Sequence, residues 1–218
     1  MTSHRVLMAD PAVAAIPVRE CGEPLVDVRT GGRLAVDDRK ADPAGAWAHV
    51  RSSVLARLQE AEAVLPDGIH LLLVEGYRPP SLQAQYFERY EGEQARLHPD
   101  WAAAEVRRAA SRFVSPPEIA PHSAGGAVDV TLIDRHGQEL DLGTRVNASP
   151  EESDQACYTD ATNISATARA HRTLLGNALT AAGFRNYWTE YWHWEFNTRL
   201  WALLTGRPAA LYGPVVLT

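Results

Sequence analysis

Two short stretches of the sequence combine residue types that bind metals and move protons. The first is Pro121-His122-Ser123-Ala124-Gly125-Gly126-Ala127-Val128-Asp129. Ala127 to Ile133 is β-branched and alternating, which predicts a strand with Val128, Val130 and Leu132 on one face and Asp129 and Thr131 on the other. A carboxylate in mid-strand is costly to bury unless it is paired or bound to a metal. The glycine pair frees the preceding loop to fold back, so that His122 can approach Asp129. The second stretch is Glu190-Tyr191-Trp192-His193-Trp194-Glu195-Phe196. On a strand, Tyr191, His193 and Glu195 share one face and the tryptophans and Phe196 the other, while Glu190 at the entry escapes strict alternation. Each stretch alone has an ordinary structural reading: a hairpin with a hydrogen-bonded aspartate, and a core histidine among aromatics.

Together they say more. Two neutral imidazoles and a carboxylate form a three-ligand set that leaves a zinc ion an open position for water. The ion brings the pKa of its water to about 7. A nearby carboxylate must then take a proton, and both Glu190 and Glu195 are available. A donor for the developing oxyanion is also needed, and Arg78, just after an apolar run and ahead of Pro79-Pro80, can supply it. His136 and His171 read as solvated positions in a turn and on a helix. Ser123 invites a nucleophile reading, but there is no G-x-S-x-G elbow, P-loop or G-x-G-x-x-G fingerprint.

The elements that must position these groups follow from periodicity. Ala44–Leu65 is expected to be a helix from the three- and four-residue spacing of Trp47, Val50, Val54, Leu58, Ala61 and Leu65. Ile69–Val74 reads as a buried strand. Ser81 is a plausible N-cap for a helix carrying Leu82, Tyr86 and Tyr90. A further helix is expected through Trp101, Val106 and Phe113, and another over Ser165–Ala182, closed by Gly183. Residues 138–164 are polar and irregular. The aromatic density of Phe184–Phe196 favours strands. The order lacks a strict βαβ alternation, so the fold class is α+β: a central antiparallel or mixed sheet flanked by helices. One domain over residues 1–218 is expected, its first 40 or so residues an irregular extension packed on the rest.

Composition narrows the function. The chain has 218 residues, 45% of them hydrophobic and 22% charged, and a formal charge of −6. That balance argues against a phosphate-backbone binder, so no nucleic-acid partner is expected. No apolar run approaches the roughly 18 residues that span a bilayer, and no signal-peptide core precedes Asp10-Pro11, so a cytoplasmic protein without a membrane partner is expected. Cys21 and Cys157 lack metal-ligand spacing and read as free thiols.

The motifs resemble those of the zinc D-alanyl-D-alanine dipeptidase family, the VanX type. The matching stretches, in order, are Glu75-Gly76-Tyr77-Arg78-Pro79, His122 to Asp129 with Val130-Thr131-Leu132, Leu142-Gly143-Thr144-Arg145, Ala181-Ala182-Gly183-Phe184 and Glu190-Tyr191-Trp192-His193. The resemblance covers roughly Ile69 to Phe196, with a weaker echo at Val26-Asp27-Val28-Arg29. It implies the α+β fold of zinc D,D-carboxypeptidases and one zinc per chain held by His122, Asp129 and His193. It further implies Glu190, not Glu195, as general base and acid, and Arg78 as stabiliser of the tetrahedral intermediate. Trp192-His193, in place of the Pro-Trp-His of the carboxypeptidase branch, favours the dipeptidase branch.

Three positions depart from the family's pattern. Members usually carry Asp at Asn147 and Tyr at Thr30, both contacting the substrate's ammonium, and Ser at Ala120 near its carboxylate. The pocket is expected around Thr30, Ala120, Ser123, Asn147 and Tyr191. Losing one buried charge-assisted contact costs about 1.5–3 kcal/mol, roughly tenfold to a hundredfold in affinity. The expectation is therefore an amide hydrolase for a small peptide. An alternative is a tailoring or self-resistance amidohydrolase acting on a small peptide other than D-Ala-D-Ala or on a peptide natural product, because the amine-binding residues are altered. A substrate lacking a free α-amine is one form of it. A non-catalytic module holding zinc as a plug is the reading from another class, and the intact Glu190 counts against it.

Overall fold

A computed structural model describes residues 5–31 and 34–217. In chain order the elements are α1 (Pro11–Ala14), β1 (Leu25–Asp27), β2 (Ala35–Val36), β3 (His49–Arg51), α2 (Ser52–Ala63), β4 (Ile69–Glu75), α3 (Pro80–Leu97), α4 (Ala103–Ala110), β5 (Ala127–Asp134), α5 (Ala166–Ala181), β6 (Arg185–Asn186), β7 (His193–Glu195) and α6 (Arg199–Thr205). The architecture is α+β, as expected. Five strands form a mixed sheet in the order β2-β4-β5-β7-β6, and β1 pairs with β3 in a separate ribbon. Among the described strand pairs of this sheet only β2–β4 is parallel.

The sheet buries one face under α2 and α5. Leu71, Leu73, Val128, Val130 and Leu132 meet Val54 and Leu58 of α2 and Leu175 and Leu179 of α5 in the main core. The opposite face carries the polar residues of the same strands, and register aligns them. Asp129 of β5 lies across from His193 of β7, and on its other side across from Glu75 of β4. The β4–β5 register slips between Leu73 and Glu75. Without that bulge Val74 would oppose Asp129; with it, Glu75 takes the place. Bulges beside functional sites commonly re-aim a side chain in this way.

Several elements differ from expectation. The predicted helix over 44–65 begins only at Ser52, because Ala46–Ala48 is a 3-10 turn and His49–Arg51 is a strand. Backbone pairing overrides helical spacing there: the Gly76 N–H donates to Trp47 O (2.7 Å) and the Tyr77 N–H to His49 O (2.6 Å). The helix after Arg78 starts at Pro80, whose fixed φ suits the first helical position, and Pro79 rather than Ser81 takes the cap position. The helix predicted through Phe113 is confined to α4. Phe184–Phe196 yields just two short strands joined by a loop, so its aromatic density reflects burial more than extended backbone. Strands Ile69–Glu75 and Ala127–Asp134 and the Ser165-capped α5 match the periodicity.

Candidate metal and catalytic site

His122 opens a 3-10 turn that ends at Gly125 in the left-handed region (φ +67°). A Cβ on Gly126 would lie 2.8 Å from Phe196 O, so the second glycine lets the turn press against the chain leaving β7. Arg51, almost wholly buried, pins the turn by donating to Ala124 O (2.8 Å) while its other nitrogens bond Glu20 and Gly213 O.

The outcome is a tight triangle. His122 Nε2 lies 3.2 Å from His193 Nδ1 and 3.4 Å from Asp129 Oδ1, and His193 Nδ1 lies 3.1 Å from Asp129 Oδ1. All three residues are buried, and they are the one group of potential metal ligands found among the described residues. The outer nitrogens are also engaged. His122 Nδ1 donates to Gly76 O (2.6 Å), and His193 Nε2 donates to Glu195 Oε1 (3.1 Å). These bonds leave the inner nitrogens as the pair facing Asp129, the tautomers a cation would need.

Glu190 completes the cluster. Its Oε2 lies 3.7 Å from His193 Nδ1, and the carboxylate accepts no hydrogen bond from the described residues. Burial, reinforced by Asp129 and Glu195, raises its pKa to about 8 against the pull of His193 and Arg78. Burial alone would lower the pKa of His193, but its hydrogen bonds to Asp129 and Glu195 push it up to about 10. Burial would raise Asp129, yet the two imidazoles hold it well below the usual carboxylate range.

Arg78 follows β4 and is clamped. Nε and Nη2 both donate to the Glu75 carboxylate at 2.7 Å, and Nη1 donates to Gln83 Oε1 at 2.8 Å. Three of five guanidinium N–H groups are thereby spent, leaving two free. Ser123 Oγ donates to Arg78 O (2.9 Å), and the Arg78 N–H donates to His122 O (3.3 Å), which ties the guanidinium's backbone to the metal turn.

A family model described as D-Ala-D-Ala dipeptidase, of the peptidase M15 group, matches residues 35–204. The chain belongs to this family. It is thus a peptidase, and His122, Asp129 and His193 offer a site for the metal on which M15 peptidases depend. A curated D-alanyl-D-alanine dipeptidase of Synechocystis is 28% identical, with 86% of this chain and 87% of the relative aligned. Another, from Escherichia coli K12, is 29% identical over 59% of this chain and 56% of its own length. Among solved structures, the LdcB LD-carboxypeptidase superposes with a TM-score of 0.45 at 18% identity, covering 87% of this chain and 76% of that one.

In this M15 peptidase a cavity of about 460 Å³ opens beside Arg78. Of the five pocket residues expected from the sequence, only Asn147 lines it. Thr30 is exposed on a 3-10 turn and donates to Asp27 O. Ala120 lines a separate crevice with Val18 and Tyr212. Ser123 is fully buried, with its hydroxyl spent on Arg78 O. Tyr191 is packed in the core and donates to Thr144 O (2.7 Å).

Other supports were not singled out in the sequence. Glu195, weighed there only as a base, holds His193 instead, although its place two residues along the same strand was the available signal. Glu75 stands three residues before the arginine it clamps. Arg172 on α5 gave no signal at all. It is buried without a carboxylate partner and donates to Leu142 O, Tyr158 O and Ala156 O at 2.6–2.7 Å, clamping the loop that carries Asn147. Among the described residues no helix is long and apolar enough to cross a membrane, and neither cysteine is in a disulfide.

Proposed function

We propose that the chain is a zinc-dependent dipeptidase of the D-alanyl-D-alanine type, with Glu190 as general base and acid and Arg78 as the oxyanion donor. The observation that carries this reading is the buried Glu190 carboxylate, with Oε2 3.7 Å from His193 Nδ1, beside three converging ligand atoms. The donor set fits zinc. Bonds of about 2.0–2.1 Å in a tetrahedral arrangement separate ligand atoms by roughly 3.3 Å, against the 3.1–3.4 Å found between these three. Three protein ligands leave a position for water or substrate, as a catalytic rather than structural site requires.

When bound, zinc supplies Lewis acidity and makes water a competent nucleophile at neutral pH. The charge of a bound cation would offset the burial that raises Glu190, leaving it ionised. Glu190 then takes the proton as water oxygen bonds to the amide carbon and delivers it to the nitrogen as the C–N bond breaks. Arg78 directs its two free N–H groups at the carbonyl oxygen as negative charge develops there. Glu75 and Gln83 keep the guanidinium from swinging away, so little reorganisation accompanies the reaction. The products are two amino acids. A cytoplasmic location is part of the same proposal.

Glu190→Gln tests the assignment. The variant retains its metal while kcat falls about 10²- to 10⁴-fold, the usual contribution of a positioned acid–base group. A zinc-loaded variant that keeps wild-type turnover contradicts it. A second reading of the substrate is favoured by Asn147, a neutral amide in the cavity beside Arg78 where the family resemblance leads one to expect an ammonium-binding aspartate. On that reading the chain acts as a tailoring or self-resistance amidohydrolase on peptides without a free α-amine. Comparing kcat/KM for D-Ala-D-Ala and its N-acylated analogue separates the two.

A further inference from the structure

The cavity beside Arg78 has an unusual charge arrangement. Three cations surround the ring of Tyr86: Arg78 with its guanidinium carbon 5.0 Å from the ring centroid, and Lys40 Nζ and the Arg89 guanidinium carbon each at 5.4 Å. All four residues line the cavity. Within 4 Å of these cations the described residues supply one carboxylate, that of Glu75, which is already bidentate to Arg78 and lies 3.8 Å from Lys40 Nζ. Of the acids in the walls, Glu152 is taken by Arg145 (2.6 Å), and Glu93, one turn along α3 from Arg89, offsets part of the Arg89 charge without a contact within 4 Å, leaving Lys40 the less compensated cation. Positive charge is therefore in surplus around Tyr86.

An independent observation points the same way. The Nδ2 of Asn147, in the cavity wall, is buried with no hydrogen-bond partner, and Asn147 is held at φ +63°. A buried amide donor without an acceptor is costly unless a ligand satisfies it. Its requirement is an acceptor oxygen, the same group that a surplus of cations attracts.

We infer that this cavity is a carboxylate-binding subsite, in which Lys40 and Arg89 pair with an anionic group of the peptide substrate and Asn147 donates to one of its oxygens. The subsite rests on the hydrolase reading only for its relation to the scissile bond, since Arg78 belongs to both. Two sources in a small peptide share this chemistry, an acidic side chain and the C-terminus. The side chain is favoured, because the family resemblance puts the substrate's amine end at Asn147 and its C-terminus near Ala120, which lines a separate crevice. Lys40 is the more sequestered cation and dominates, whereas solvent screens the exposed Arg89.

The test uses the zinc-loaded full chain and matched peptide pairs: D-Ala-D-Ala against its C-terminal amide, and an acidic side chain, Glu, against Gln at either position. KM and kcat are measured for wild type, Lys40→Met, Lys40→Arg and Arg89→Met. Lys40→Met is expected to reduce the acid-over-amide preference in KM about tenfold, and Arg89→Met roughly threefold. Lys40→Arg is expected to retain most of it, which separates a charge effect from misfolding. Comparing variants within each pair cancels any direct bonding of carboxylate to zinc. Collapse of the preference in the C-terminal pair assigns the subsite to the terminus, and in the side-chain pair to the side chain. Calorimetric titration of the same pairs reads the subsite without turnover. Lys40-dependent binding of acids with no hydrolysis would overturn the dipeptidase reading and leave the subsite standing. An acid-over-amide ratio unchanged across all variants overturns the subsite.

Discussion

Replacing Glu195 with Gln separates holding a ligand from packing a core. Glu195 is fully buried, accepts from His193 Nε2 through one oxygen (3.1 Å) and from the Thr198 hydroxyl through the other. Glutamine has nearly the same shape. Its carbonyl oxygen can still accept from Nε2, and the Thr198 hydroxyl can rotate to accept from the new amide. The change therefore removes charge without opening a void. A carboxylate behind a ligating imidazole raises its basicity and fixes the ring, and losing such a partner typically costs 10- to 100-fold in metal affinity. That range equals about 1.4–2.8 kcal/mol. In the metal-free protein Glu195 also holds the protonated His193, so at pH 7 stability is expected to fall by about 1.5–3 kcal/mol through lost charge alone, roughly 3–12 °C in Tm for a chain of this size. Competition against a chromophoric chelator gives the affinity, and calorimetric melting of the stripped protein gives the stability. A Glu195→Gln protein that binds zinc within twofold of wild type would show that the outer carboxylate does not tune the ligand, and would refute the reasoning. Glu195→Ala should lose more stability, because it leaves the Thr198 O–H and the His193 Nε2–H without an acceptor.

Other outcomes follow from the same geometry. Arg172→Met strips three buried carbonyls of their donor, so a loss of about 3–5 kcal/mol is expected, with protease cleavage appearing first in residues 142–158; an unchanged melting curve would count against the clamp. Metal uptake should release protons. In the metal-free protein His193 is pushed up to about 10 and is protonated at pH 7, so its proton must leave Nδ1 before a cation binds. Apparent affinity should rise at least tenfold per pH unit between 6 and 8, which titrations in buffers of different ionisation enthalpy would detect. The same shift sets a stability trend. The folded state keeps a proton that the unfolded chain, with an ordinary pKa near 6.5, has lost. The His193 contribution is thus full below about pH 6.5 and is lost as pH rises through about 10.

The parts of this molecule readable from its sequence were those with short-range causes. Asp129 and the strand around it followed from alternation, and the approach of His122 from the glycine pair. Ser165 and Gly183 marked the ends of α5 through capping and a left-handed turn. Residues 44–51 depart from their helical spacing because hydrophobic periodicity cannot register backbone carbonyls claimed by Gly76 and Tyr77. The bulge that turns Glu75 toward Asp129, and the three carbonyls gathered by Arg172, arise only when distant segments meet. The pocket was the least legible part. Lys40, Arg89 and Asn147 lie on three separate stretches, and only the fold brings them around one cavity.

The central claim is that a metal held by His122, Asp129 and His193 is required for peptide-bond hydrolysis. Titrating the chelator-stripped protein with zinc while following cleavage of a D-alanyl dipeptide or its N-acyl analogue measures it directly. Activity should rise linearly to one equivalent of zinc per chain and then level, and His193→Ala should show no such rise. Full hydrolysis by the stripped protein, or an unaltered titration in His193→Ala, would contradict the account.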